Sequence, residues 1–224
     1  MALMDFIQTF LNPDILKQIF PLLLKGMWGT VLLSLVVLPL AVGIGLLIAS
    51  MHYQRHKLLN RVLVGYVDFL RAFPPLVLLI FIFYALPMTG IELSPFVAAV
   101  LALVLNGSSY FAEIFRSGLE SVPKGQVEAA RSTGLNRRQT MLHVIIPQGV
   151  RNVVPDLASN TLEVVKQTSI ASVVAMDELL RAAQLGQSLT YSPTPLIAAA
   201  IMYVLLLWPL VRLISRMHKV TIPT

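Results

Sequence analysis

Residues 28–50 read WGTVLLSLVVLPLAVGIGLLIAS, a run without a charged side chain. A helix needs about 20 largely apolar residues to cross a hydrocarbon core about 30 Å thick, so this stretch alone predicts a membrane span. Working outward, further uncharged runs lie at 72–91, 93–112 and 195–211, and a weaker candidate between 152 and 176 is interrupted by Glu163 and Lys166. The expected spans are therefore about 27–50, 62–88, 94–115, 152–176 and 194–214. Across 224 residues, 56% are hydrophobic and only 12% charged, and the mean hydropathy is +0.77. Such a chain is far more apolar than a soluble domain of its size. The expected fold is an all-α integral membrane protein with five transmembrane helices in one domain over 25–214. Residues 215–224 read as a cytoplasmic tail.

The basic residues set the expected orientation. Arg55, Lys57 and Arg61 follow the first run, whereas no Lys or Arg occurs between Pro87 and Ser94. Arg116, Lys124, Arg131, Arg137, Arg138 and Arg151 crowd the segment between the third and fourth runs, and Arg212, Arg216 and Lys219 close the chain. After the fourth run there is only Arg181, beside Asp177 and Glu178. By the positive-inside rule the first loop, the long central loop and the C-terminus are cytoplasmic, which puts the N-terminus outside. Residues 1–24 alternate apolar and polar positions around Pro13 and Pro21 and read as an interfacial helix on the outer face. They lack the basic stretch leading into a short apolar core that marks a cleaved signal. The net charge of +6 sits at the ends of apolar runs, where lipid headgroups and topology account for it better than nucleic acid. With no cysteine, neither a disulfide framework nor a Cys-based metal or redox site arises.

The central loop, 117–150, is longer than a bare connection needs. Pro123 is placed to open a short helix over 125–133, and Gly134 to end it in a left-handed conformation. Asn136 with Gln139 fits a capping box for a second short helix over 137–144, which Pro147 is expected to terminate. A rigid helix, turn, helix unit flanked by base suits docking to another protein. The loop carries no catalytic constellation, and no Gly-x-x-x-x-Gly-Lys-Ser/Thr pattern occurs anywhere, so a phosphate-cradling loop of that type is excluded.

Within this loop the order Glu128-Ala129-Ala130, three residues, Gly134, nine residues, Val144-Ile145-Ile146-Pro147 resembles the coupling motif of permease subunits of binding-protein-dependent ABC importers. The stretches 110–116 (YFAEIFR) and 166–170 (KQTSI) are similar to the branch that imports polar amino acids such as histidine, glutamate, glutamine, arginine and opines. The resemblance covers roughly 60–214. It implies a bacterial inner-membrane permease whose Glu128, Ala129 and Ala130 lie on a helix inserted into an ATPase partner, with Gly134 as the turn after it. It further implies a dimer of ATPases holding ATP and Mg, a second permease subunit, identical or homologous, and an extracytoplasmic solute-binding protein. No cofactor belongs to this chain, which is not itself an enzyme.

Three acid–base pairs spaced by three residues fall within or at the ends of the expected spans: Asp68 with Arg71, Glu113 with Arg116, and Glu163 with Lys166. That spacing puts each pair on one helix face. The first two lie near cytoplasmic ends and read as structural ion pairs. If the fourth span starts at Asn152, Glu163 sits about 16 Å in, near the bilayer centre, where ionisable groups normally face a wet path. Two readings are open: Glu163, Lys166, Asn160, Gln167, Thr168 and Ser169 line a substrate path for a zwitterion, or Glu163 and Lys166 neutralise each other at a subunit seam. Asn106, Ser108, Ser109 and Tyr110 form a second polar cluster that fits helix packing as well as pore lining. A mid-membrane serine hydrolase is excluded because His52, His56, His143 and His218 all fall in cytoplasmic segments. An ion-coupled secondary carrier is the alternative transport class, though no internal duplication is evident.

Overall fold

The computed structural model describes residues 10–53 and 57–221, with side chains described as far as residue 214. Helix α1, Pro13–Tyr53, opens where the Asn12 side chain accepts hydrogen bonds from the Asp14 and Ile15 backbone amides, 3.0 and 3.3 Å. Its 41 residues rise about 60 Å, twice a hydrocarbon core. The expected division near residue 24 between an interfacial segment and a first span is absent. Pro21 and Pro39 both sit inside the helix. Ile19 and Leu23, on the early part of α1, are buried, and this packing outweighs the local signal of the prolines. Residues 1–9 of the expected interfacial helix lie outside the described residues.

The second expected span, 62–88, is broken. Helix α2, Lys57–Ala72, and helix α3, Pro75–Ile80, which runs on through a π-turn at Phe81–Ala85 and a 3-10 turn at Leu86–Thr89, are bent 99° apart. Pro74 and Pro75 are the cause: neither can donate a backbone hydrogen bond, and Pro74 is extended, with ψ 128°. Carbonyls freed at the end of α2 are satisfied from helix α4, Pro95–Glu120, whose buried Asn106 donates to the carbonyls of Leu70 and Phe73 at 2.9 and 3.3 Å. Ser108 bonds Tyr66 at 2.9 Å, and the Ser109 hydroxyl donates to the Asn106 carbonyl at 2.6 Å. The second polar cluster therefore ties α4 to α2 and to itself.

Helix α4 is the centre of the larger core, with Ala98, Ala99, Ala102, Leu103 and Phe111 fully buried. Its crossing with α1 is close because Gly45 has no side chain: a Cβ there would lie 2.6 Å from Phe111 Cβ. Gly43, by contrast, faces open space. Helices α5, Lys124–Ser132, α6, Arg137–Thr140, and α7, Ile146–Asn152, form the central loop, and α7 crosses α4 where Gly118 meets Gly149. After a break at Val153 comes α8, Val154–Gln167, continued by a 3-10 turn at Thr168–Val174. The expected fourth span is thus a 14-residue helix of about 21 Å plus an irregular turn. Prolines again break the path: Pro155 opens α8.

Helix α9, Leu179–Thr190, and helix α10, Thr194–Thr221, finish the chain. Ile19 and Leu23 of α1, Leu179, Ala182 and Ala183 of α9, and Ala198 and Ala199 of α10 make a second, smaller core. Among the described residues, α1, α4 and 194–214 are long and apolar enough to cross a membrane, and α2 with α3 counts as a fourth crossing if the bent pair is taken together. The fold is all-helical among the described residues. Among the long-range bonds that stitch its two ends is a buried one: the Thr30 hydroxyl accepts from the Leu179 backbone amide at 3.1 Å. Thr30→Val keeps the shape and leaves that amide unpaired, so it is expected to destabilise the purified protein by about 1–3 kcal/mol. A thermal melt in detergent, with Thr30→Ser as the conservative control, measures this.

Candidate functional site: a projecting loop and a polar helix face

Helix α5 begins after Pro123, which stands extended at ψ 135°, and ends at Thr133. Gly134 has φ +91°, a left-handed conformation that favours glycine. Its amide donates to the Arg131 carbonyl at 3.1 Å, and the next amide, of Leu135, reaches back to Ala130 at 3.3 Å. This wrap closes the carbonyl end of α5. Both halves of the capping box form: the Gln139 amide donates to the Asn136 side chain and the Asn136 amide to the Gln139 side chain, each at 2.9 Å. The expected helix, glycine turn, helix unit is present, with local bonds at each joint.

Two details differ from the sequence reading. Glu128 and Ala129 are exposed, but Ala130 is buried at 8%, so it faces inward where α5 packs on the second half of the loop and only the first two residues face outward. Pro147, which is exposed, does not terminate the second helix. A π-turn at Met141–Ile145 widens the helix before it, with the Ile146 amide reaching the Met141 carbonyl, and Pro147 sits in the first turn of α7, where a missing amide costs little.

On α8, Asp156, Ser159, Glu163 and Lys166 are exposed at spacings of three and four, which is one helix face. Glu163 and Lys166 pair at 2.5 Å with side chains 58% and 51% exposed. Asn160 and Gln167 lie at the edge of this face, half-buried, and the Asn160 side-chain nitrogen is buried without a partner among the described residues. Ser169, half-buried, donates to the Lys166 carbonyl at 2.8 Å. Thr168 does not belong to this exposed face: it is fully buried, its hydroxyl spent on the Val165 carbonyl at 2.7 Å, because it follows buried Val164 and Val165 by one turn on the inward face.

The other two acid–base pairs meet at one cavity of about 240 Å³ lined by Asp68, Arg71, Glu113, Arg116 and His52. Arg116 binds Glu113 through two bonds, 2.5 and 3.0 Å, and Glu120 at 2.9 Å. Arg71 does not pair with Asp68 as its spacing suggested. It lies over the Tyr110 ring, 5.6 Å from the centroid, and reaches across to Glu113 at 4.0 Å. The guanidinium gains a π-face and a carboxylate on α4, which the neighbouring acid on its own helix cannot supply.

Sequence reasoning missed Glu178. It is fully buried, caps α9 by accepting from the Leu180 and Arg181 amides at 2.9 and 2.6 Å, and accepts from the Tyr203 hydroxyl at 2.8 Å. An acid directly before the apolar Leu179-Leu180 was the available signal of a helix start.

Residues 41–220 match the family described as binding-protein-dependent transport system inner membrane component. The chain belongs to this family. This permease is a membrane-embedded transport component rather than an enzyme. It is 35% identical to the probable glutamine ABC transporter permease protein GlnP of Bacillus subtilis, over 89% of this chain and 91% of that one. To the Escherichia coli histidine/lysine/arginine/ornithine transport system permease protein HisQ it is 30% identical, over 76% and 80%. Among solved structures, a chain of an amino acid ABC transporter crystallised with histidines superposes with a TM-score of 0.81 at 35% identity, covering 89% of this permease and 94% of that chain. The MetNI methionine ABC transporter in its inward-facing conformation shares the fold at a TM-score of 0.75 and 21% identity, covering 91% and 98%.

Proposed function

We propose that this permease is the transmembrane subunit of an ATP-binding-cassette importer that carries a polar amino acid across the bacterial cytoplasmic membrane. The observation that carries the reading is α5: a short helix held by Gly134 and anchored by buried Ala130, yet presenting Glu128 and Ala129 to solvent. Such a helix is built to seat in another protein's groove and to transmit rigid-body motion. The partner is a separate ATPase dimer, which holds the ATP and Mg. A second permease subunit faces this one, and an extracytoplasmic solute-binding protein delivers the substrate.

In this reading five crossings, α1, the bent α2–α3 pair, α4, α8 with its 3-10 continuation, and α10, place the N-terminus outside and the C-terminus in the cytoplasm. The basic central loop supports that orientation. The exposed face of α8 is costly against lipid, so it faces the water-filled path between the two permeases, with Glu163 and Lys166 as acceptor and donor for a zwitterion. Reconstituted vesicles test both levels. Uptake is expected only when the ATPase, ATP and the binding protein are supplied, and Glu163→Gln is expected to lower it by on the order of ten-fold, the worth of one hydrogen bond to a charge. Uptake by the permease alone on an ion gradient would instead mark a secondary carrier. Unchanged rate and specificity in Glu163→Gln would remove that residue from the path.

A further inference from the structure

A groove of about 1120 Å³ runs between the second half of α1 and the central loop. It exceeds the roughly 300–1,000 Å³ of a small-molecule site. Its rim carries Arg131, Arg137 and Arg138, and no acidic residue lines it. Arg131 bonds the Leu135 carbonyl at 2.9 Å, while Arg137 and Arg138 make no ion pair among the described residues. The floor and walls are apolar, with Leu46 and Leu47 from α1 and Met141, Ile145 and Ile146 from the loop.

Helix α5 divides its faces between two surfaces. Val127 and Arg131, one turn apart, line the groove, whereas exposed Glu128 and Ala129 do not. The groove is therefore separate from the surface assigned to the ATPase. Its apolar wall continues up α1 as an exposed stripe of Leu47, Gly43 and Leu40, on the helix most able to cross a membrane. Gly43 keeps that stripe open, since nothing lies within 4 Å of where its Cβ would be. A cluster of unpaired cations at one end and a continuous apolar track leading into the bilayer have the two chemistries of one molecule.

We infer that the groove binds an anionic phospholipid of the cytoplasmic leaflet, its phosphate held by Arg137 and Arg138 and an acyl chain lying along Leu47, Gly43 and Leu40. Basic recesses between membrane helices on the cytoplasmic side select such headgroups, and each arginine near the surface adds to the attraction. A lipid seated there buttresses α5 from behind while the opposite face engages the ATPase. The inference rests on the proposed orientation of the central loop.

The test is native mass spectrometry of the whole permease–ATPase complex, equilibrated with phosphatidylglycerol or phosphatidylcholine. Preferential retention of phosphatidylglycerol is expected, falling on the order of ten-fold in Arg137→Gln/Arg138→Gln and also falling in Gly43→Phe, which fills the groove without changing charge. The charge-matched control Lys124→Gln/Arg151→Gln, outside the groove, keeps the preference. Equal retention in the arginine variant and the control would overturn the site. Loss of the ATPase from the arginine variant with lipid retention unchanged would overturn it too, assigning the arginines to the protein partner. Because the chain has no cysteine, Ser132→Cys offers a single label for orientation. Labelling from outside would overturn the orientation itself, a failure distinct from loss of lipid preference.

Discussion

Gly29→Leu is expected to abolish recovery of folded permease, with a destabilisation of about 3 kcal/mol or more. A Cβ at position 29 would lie 1.9 Å from the Asp177 carbonyl oxygen, and one at Gly26 would lie 2.6 Å from Ala182 Cβ and 2.8 Å from the Glu178 carbonyl. The obstacle at Gly29 is backbone, which has no rotamer to change. Any side chain forces α1 away from the start of α9, and with it go the bond from Leu179 to Thr30 and the ion pair of Lys25 with Asp177. That ion pair is exposed and contributes little, so the packing and the buried hydrogen bond dominate the loss. Gly43→Leu, made on the same helix but facing open space, is expected to melt near the wild type. Size-exclusion profiles and thermal melts in detergent compare the two, and similar melting of Gly29→Leu and Gly43→Leu would refute the close crossing.

The second large effect concerns α5. Ala129→Trp is expected to cut ATP-dependent uptake about thirty-fold or more, the range of a strong interface position, while the thermal melt stays within about 0.5 kcal/mol of wild type. Ala129 is exposed, so the folded chain accommodates the indole; a groove that fits an alanine does not. Ala130→Glu acts differently despite being adjacent. Its carboxylate would be buried where α5 packs on the second half of the loop, and loss of folded protein is the first consequence. Measuring uptake and melting together for both variants separates docking from folding. Ala129→Trp with normal uptake would remove α5 from the coupling surface.

The central loop was readable in sequence because its determinants are local. A glycine with positive φ, an Asn–Gln capping box and a helix-opening proline each act within a few residues. The membrane class was readable from uncharged runs such as 28–50. What was not readable depends on distant partners. Residues 62–88 read as one span, yet the chain bends sharply at Pro74, where Asn106, more than thirty residues away, caps the end of α2 by donating to its freed carbonyls. Pro147 looked like a stop until the π-turn before it made room. Arg71 looked paired with Asp68 by spacing, but Tyr110 and Glu113 on another helix offered more. Thr168 belonged to a polar cluster along the chain, yet it lies with Val164 and Val165 on the face of the helix that packs inward.

Helix α1 takes part in both hydrophobic cores, and the partners of its first half are the last to be made. Leu179 bonds Thr30 across 149 positions of chain. During synthesis, the first helix therefore enters the membrane with Gly26, Gly29 and Thr30 still uncovered, and its notch stays open until α9 and α10 leave the ribosome. Chains cut short before residue 179 would retain every residue of the projecting loop and still lack the smaller core, offering quality-control proteases an unfinished first helix to recognise.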